Sequence, residues 1–202
     1  MPLNEKGPAG LIYDLPSLVS RVDPAALFPQ AQLLELELGC GDASFLVELA
    51  RRRPERNFIG VERLLGRLRK LERKGRRAGL VNLRGVRIES SYFLEYLLPP
   101  HSVSVLHIYF PDPWPKKRHR KHRLINERFP AIVRAALAPE GAVYLRTDDQ
   151  DYYQQMTEVF DARREFERIE TPPELANLLT DFEQEFQARG IKTLRAAYKI
   201  YD

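Results

Sequence analysis

One cysteine, Cys40, stands in the 202 residues of this chain. A lone thiol excludes an intramolecular disulfide framework and a cysteine-built metal site. Long apolar runs are also missing, and none approaches the roughly 20 residues that cross a bilayer. The opening MPLNEKGPAG has no apolar core of the kind a secretory signal carries. A cytoplasmic protein without a membrane partner is therefore the expectation. No HExxH segment and no G-x-S-x-G elbow occurs, so the zinc-peptidase and serine-hydrolase signatures are absent. His119 and His122 lie close together, but the arginines and lysines around them do not invite a cation, and no metal is expected. An excess of one sign of charge is small as well: 32 Lys and Arg against 28 Asp and Glu leave a formal net charge of +4. With 44% hydrophobic and 30% charged residues, the composition is that of a soluble globular chain.

What is present reads as strands alternating with helices. Residues 1–30 carry turn formers and little periodicity, an irregular lead-in with one short helix near Pro24–Phe28. Strands are expected at Leu33–Leu38, Asn57–Val61, Leu83–Ile88, Val103–Tyr109, Ala142–Arg146, Phe166–Glu170 and Leu194–Tyr201. Helices are expected after Asp42, which is placed as a cap, and from Leu64, then over Tyr92–Leu98, Ile125–Leu137 (bent at Pro130) and Tyr153–Phe160. Thr171–Asp181 reads as loop or short helix. Without internal repeats or a linker, residues 31–202 form one α/β domain around a mostly parallel sheet.

Four acids, Glu37, Glu62, Glu89 and Asp112, fall at or near the ends of four successive strands. In a doubly wound sheet those ends line one crevice. Singly, each is explained as a cap or a solvated loop residue. The turn after the first strand reads Glu37-Leu38-Gly39-Cys40-Gly41-Asp42-Ala43. Glycines 39 and 41 let the backbone turn tightly against a ligand, while the third glycine of the dinucleotide fingerprint is replaced by Ser44. An acid just before such a turn suits a cationic ligand better than a pyrophosphate. Glu62, ending the next strand, sits where a carboxylate grips two ribose hydroxyls. S-adenosylmethionine, with its adenosine, positive sulfur and amino-acid tail, fits those demands.

The densest local chemistry is Phe110–Arg123, FPDPWPKKRHRKHR. Pro111, Pro113 and Pro115 end the strand and stiffen a turn that carries Asp112 and Trp114. Trp114 has two readings, stacking on a base and stiffening its own turn. Lys116 to Arg123 are all basic or histidine. An isolated run of this kind is usually a solvated face. Tied to a rigid acidic turn at a strand end, it reads instead as a patch for a polyanion.

With these segments the sequence resembles the bacterial tRNA (guanine-N7)-methyltransferases from about Leu34 to the C-terminus. The FPDPWPKKRHRKHR stretch is the most specific part. ELGCG, Gly60-Val61-Glu62, Arg146-Thr147-Asp148 and Thr180-Asp181-Phe182-Glu183 agree in order and spacing. The resemblance implies a Rossmann-like class I methyltransferase fold with an antiparallel C-terminal strand. It implies S-adenosylmethionine as methyl donor, S-adenosylhomocysteine as product, and tRNA, methylated at guanine N7 in the variable loop, as partner. Glu37, Gly39, Gly41, Glu62, Glu89 and Asp112 would meet the cofactor, with Asp112 also catalytic. Lys116, Asp148, Thr180, Asp181, Phe182 and Glu183 would hold the guanine or its nucleotide. Arg118, His119, Arg120, Lys121, His122 and Arg123 would meet the RNA. Three departures stand out: Ala43 where the family usually has glycine, Glu89-Ser90 for the common Asp-Ala, and no long basic N-terminal arm. A monomer or homodimer with no obligatory protein partner is expected. The rivals are a dehydrogenase, a small-molecule methyltransferase and a catalytically silent RNA-binding module. The first lacks its third glycine, the second has no use for the basic run, and the third need not bind the cofactor.

Overall fold

A computed structural model describes residues 10–201, so positions 1–9 of the expected lead-in lie outside the described residues. In chain order the elements are β1 (Ile12–Tyr13), a 3-10 turn (Pro24–Leu27), β2 (Leu34–Leu38), α1 (Ser44–Arg52), β3 (Asn57–Val61), α2 (Leu65–Arg77) and β4 (Leu83–Val86). Then come α3 (Ser90–Tyr92), running into a π turn (Phe93–Leu97), β5 (Val103–Tyr109), a 3-10 helix (Lys117–His122), α4 (Phe129–Ala136) and β6 (Leu137–Thr147). The chain closes with α5 (Gln150–Asp161), β7 (Phe166–Ile169), α6 (Pro173–Ala176), α7 (Asp181–Ala188) and β8 (Leu194–Ile200).

The strands form one sheet in the order β1-β4-β3-β2-β5-β6-β8-β7. β8 is antiparallel to both of its neighbours, and the remaining pairs are parallel. This is the expected class I methyltransferase architecture. The connections run outward from β2 through β3 to β4, then return to place β5 on the other side of β2. That reversal opens a crevice at the carboxyl ends of β2 and β5. On one face α1 and α2 bury Phe45, Leu46, Leu49, Leu68 and Leu71; on the other the π turn, α4 and α5 bury Phe93, Phe129, Val133, Met156 and Phe160. Each fully buried side chain of this size contributes about 1.5–3 kcal/mol.

Several local expectations are corrected. The lead-in is not wholly irregular, because Ile12–Tyr13 pairs with Gly85–Val86 as an edge strand. Leu34–Leu38 alternates like a half-exposed strand, yet all five residues are buried. A parallel sheet covered by helices on both sides leaves no wet face, so Glu35 and Glu37 go inside. Asp42 does not occupy the cap of α1. Ala43 does, in the left-handed region at φ 60°, while Asp42 accepts the Ser44 N–H and pairs with Lys74 at 2.8 Å. α4 begins beside Pro130 rather than bending at it, since proline is tolerated in the first turn. α7 falls where no element was expected.

Candidate active site

At the crevice lies a cleft of about 710 Å³. Glu62, Glu89 and Asp112, from the ends of three strands, line it together with Gly39, Tyr109 and Trp114. Glu37 sits behind them, 4% exposed, and its Oε2 has no hydrogen-bond partner. Burial pushes its carboxyl up to about 8, against the pull of the Arg146 charge and with a further push from Asp42. Glu37 is thus a buried carboxyl, protonated at neutral pH, with one unpartnered oxygen next to the lining residues Leu38 and Gly39.

The glycine turn frames this acid. Gly39 and Gly41 have φ of 72° and 56°, and a Cβ at either would meet nothing within 4 Å. Glycine is required there by backbone conformation, and the open space lies where a ligand can approach. The N–H groups of Gly39 and Cys40 both donate to the Val61 carbonyl, at 2.9 and 3.0 Å, tying the turn to the end of β3. Glu62 Oε1 accepts the Leu64 N–H at 2.9 Å, while among the described residues Oε2 meets only Arg67, at 3.4 Å. Glu89 caps α3 by accepting the Ser91 and Tyr92 N–H groups. These bonds and the Ser91 hydroxyl outweigh desolvation and hold its carboxyl below the ordinary range.

The proline turn closes the cleft from the β5 side. Phe110 and Trp114 both adopt left-handed backbone, at φ 53° and 44°, unusual for aromatic residues and a form of strain that persists where the surrounding structure over-determines the chain. Arg123 holds this conformation. Its guanidinium donates to Pro113 O at 2.7 Å, Gln155 Oε1 at 2.7 Å and Asp151 Oδ2 at 2.6 Å, and lies 4.6 Å from the Tyr152 ring centroid. At 2% exposure it is buried, and its guanidinium is engaged by the turn and by α5 at the edge of the cleft. Arg118, Lys121 and His122 stay exposed, and His119 and Arg120 partly so. Arg120 shares Asp151 at 2.8 Å. The His119 and His122 rings pack on Trp114 at 5.9 and 5.1 Å, so the indole does stiffen its own turn while remaining 37% exposed.

The residues expected at the guanine are not all brought to the cleft. Lys116, Asp148 and Thr180–Glu183 are not among its lining residues. Lys116 and Asp148 are exposed, Asp148 just after β6. Thr180 and Glu183 form a capping box on α7. Glu183 is fully buried, accepting from Arg146 at 2.6 Å and Arg195 at 2.7 Å. Both of its oxygens are engaged by the frame, and it holds the N-terminus of α7 in place. Asp181 reaches the start of α1, accepting from Ser44 Oγ at 2.7 Å, and Phe182 is 47% exposed with its ring 6.1 Å from Phe110.

Two features escaped sequence reasoning. Arg146 donates to the carbonyls of Leu175 and Leu178 as well as to Glu183, and so docks α6 and α7 on the sheet. On the same face, Glu35 accepts from His107 Nε2 at 2.9 Å and Arg53 at 2.9 Å, and His107 Nδ1 meets the Tyr109 hydroxyl at 2.9 Å. Burial pushes the Glu35 carboxyl up, but the His107 hydrogen bond and the nearby charges outweigh it and leave it lowered. Burial lowers His107. A neutral ring that donates from Nε2 and accepts at Nδ1 satisfies both neighbours. Polar residues at the inward register of buried strands were the signal available.

A family model described as "Putative methyltransferase" matches residues 31–199. The tRNA (guanine-N(7)-)-methyltransferase of Syntrophotalea carbinolica is 40% identical over 70% of this chain and 61% of its own length. That of Rubrobacter xylanophilus is 35% identical over 86% of this chain and 78% of its own. The crystal structure of the 16S rRNA methyltransferase KamB superposes with a TM-score of 0.62 at 17% identity, covering 88% of this chain and 92% of that one, a likeness of fold. With the acid-lined cleft and the FPDPWPKKRHRKHR turn, these matches show that the chain belongs to the tRNA (guanine-N(7)-)-methyltransferase family.

Proposed function

We propose that this chain transfers a methyl group from S-adenosylmethionine to N7 of a guanine in the variable loop of tRNA. The observation that carries the reading is the meeting, in one cleft, of the strand-end acids Glu62, Glu89 and Asp112 with Lys121 and His122 of the basic 3-10 helix. When bound, S-adenosylmethionine supplies an electrophilic methyl group on a sulfonium. The cleft is chemically suited to it: Glu37, next to the lining residues Leu38 and Gly39, has an unpartnered oxygen that a nearby cation would draw into the ionised form, the glycine turn leaves room, and Glu62 offers a carboxylate for two ribose hydroxyls. Glu89, busy capping α3, is assigned to the adenine side of the cleft.

Guanine N7 has an in-plane lone pair and no proton, so no general base is required. With the donor bound, the N7–carbon bond would form as the carbon–sulfur bond broke, and positive charge would pass to the purine. The protein's work is to align the base and to stabilise that charge. Asp112, on its strained turn, is assigned the second task. Lys116, Asp148, Asp181 and Phe182 are assigned to the guanine and its nucleotide, with Thr180 as the cap that sets their helix. Arg118, His119, Arg120, Lys121 and His122 are assigned to RNA phosphates.

The test is incubation with labelled S-adenosylmethionine and unmodified tRNA, followed by digestion and mapping of the labelled nucleotide. N7-methylguanosine at one variable-loop position is the expected product. Label at another atom or loop, or none in RNA, refutes the assignment.

A further inference from the structure

A strongly charged surface that the proposed reaction does not use is the outward face of α2. Between Arg63 and Arg77 stand six arginines and two lysines against a single acid, Glu72. Leu68, Leu71 and Gly75 face inward. Arg69, Lys70, Arg73 and Arg77 are exposed, and among the described residues no hydrogen bond or ion pair engages them.

Ordinary explanations cover only the neighbours of these residues. Arg67 leans on Glu62 at 3.4 Å, Lys74 pairs with Asp42 at 2.8 Å, and Arg76 with Glu72 at 3.4 Å. The helix dipole favours cations in the last turn, which accounts for Arg77, but Arg69, Lys70 and Arg73 lie in earlier turns. Helix α1 shows the usual arrangement, with Arg51 and Arg52 both engaged by Glu48. On α2, Arg69 and Arg73, and Arg73 and Arg77, are like charges four residues apart, a spacing that destabilises a helix. A polyanion laid along the face removes that repulsion.

Position identifies the polyanion. Arg63 and Arg67, at the start of α2, line the same cleft as Lys121 and His122. The two basic surfaces therefore flank one mouth from opposite sides, and α2 runs on for about 20 Å. We infer that the outward face of α2 is a second phosphate-binding surface, holding the tRNA backbone across the cleft from the basic 3-10 helix. The inference deepens the tRNA reading above and rests on it.

The test replaces Arg69→Gln, Lys70→Gln, Arg73→Gln and Arg77→Gln together, all at solvent-facing positions, with thermal unfolding as the check of fold. Unmodified tRNA is titrated at several salt concentrations against wild type and variant. Each lost phosphate contact should flatten the plot of log affinity against log salt by roughly one unit. The expected result is a slope shallower by about two to four units and tRNA affinity lower by on the order of tenfold or more, with S-adenosylmethionine affinity unchanged. Wild-type affinity and slope in this variant, alongside losses in Lys116→Gln, Lys117→Gln and Arg118→Gln together, overturn the inference and leave the tRNA reading standing. Wild-type protein that binds no tRNA overturns both. Wild-type binding to phosphatidylserine vesicles that the variant loses, with tRNA binding intact, overturns it in favour of a lipid surface.

Discussion

Under the proposed function, the protonation state of Glu37 is expected to be coupled to cofactor binding. Its folded carboxyl titrates at about 8, against an ordinary value of 4.5. Between those values the folded chain holds a proton that the unfolded chain has released, so stability falls as pH rises through that window. Glu37→Gln should flatten this part of the stability profile in denaturant titrations. A cation beside Glu37 favours the ionised form, so S-adenosylmethionine binding should release a proton at neutral pH and tighten as pH approaches 8. Calorimetry in two buffers of different ionisation enthalpy reads the proton directly, and wild-type release equal to that of Glu37→Gln would refute the coupling. At Asp112 the expected effect is on turnover. With cofactor saturating, Asp112→Asn should lower kcat by roughly 100-fold, the scale of one lost transition-state stabiliser, and change the KM for tRNA far less.

Two elements owe their placement to single buried arginines. α7 is moored through Glu183, shared by Arg146 and Arg195. Glu183→Ala leaves the Arg146 guanidinium, 1% exposed, without its counter-charge, and should cost about 3–5 kcal/mol. Limited proteolysis should then cut between Pro173 and Gly190 sooner than in wild type. A variant that unfolds at the wild-type denaturant midpoint would show that the pair contributes little. The proline turn is moored through Arg123. Arg123→Ala removes charge-assisted hydrogen bonds to Pro113 and Asp151, a loss of about 1.5–3 kcal/mol each at most. Arg123→Lys should not restore it, because an ammonium cannot reproduce the planar fork over Tyr152. If Arg123→Lys equals wild type in stability and in turnover, the clamp is only a charge.

Across the whole molecule, the cleft lies where both sheet halves meet, so a bound ligand should brace the entire chain. At a hundredfold excess over its Kd, S-adenosylmethionine should add about 2.7 kcal/mol and raise the Tm by roughly 5–10 °C. Glu62→Ala should lose most of that shift. An unchanged shift would remove Glu62 from the cofactor site. Among the described residues no helix is long and apolar enough to cross a membrane.

Periodicity, proline placement and strand-end acids were legible in the chain because each is set by neighbours within a few residues. Val103–Tyr109 as a strand, its termination at Pro111 and the glycine turn at 39–41 all follow from local backbone physics. So does the gathering of Glu62, Glu89 and Asp112, once alternating elements imply a doubly wound sheet. Residue type alone did not distinguish a surface arginine from a buried one. Arg118 and Arg123 look alike in a basic run, but only Arg123 meets Asp151, Gln155 and Tyr152, nearly thirty residues on or more. Glu183 reads as a polar helix residue until Arg146 and Arg195 close on it. Glu35 and Glu37 alternate as if to water, and only the second helical layer buries them. Desolvation is a property of what packs from elsewhere in the chain, so burial, the raised Glu37 carboxyl and the arginine clamps were decided by tertiary structure alone.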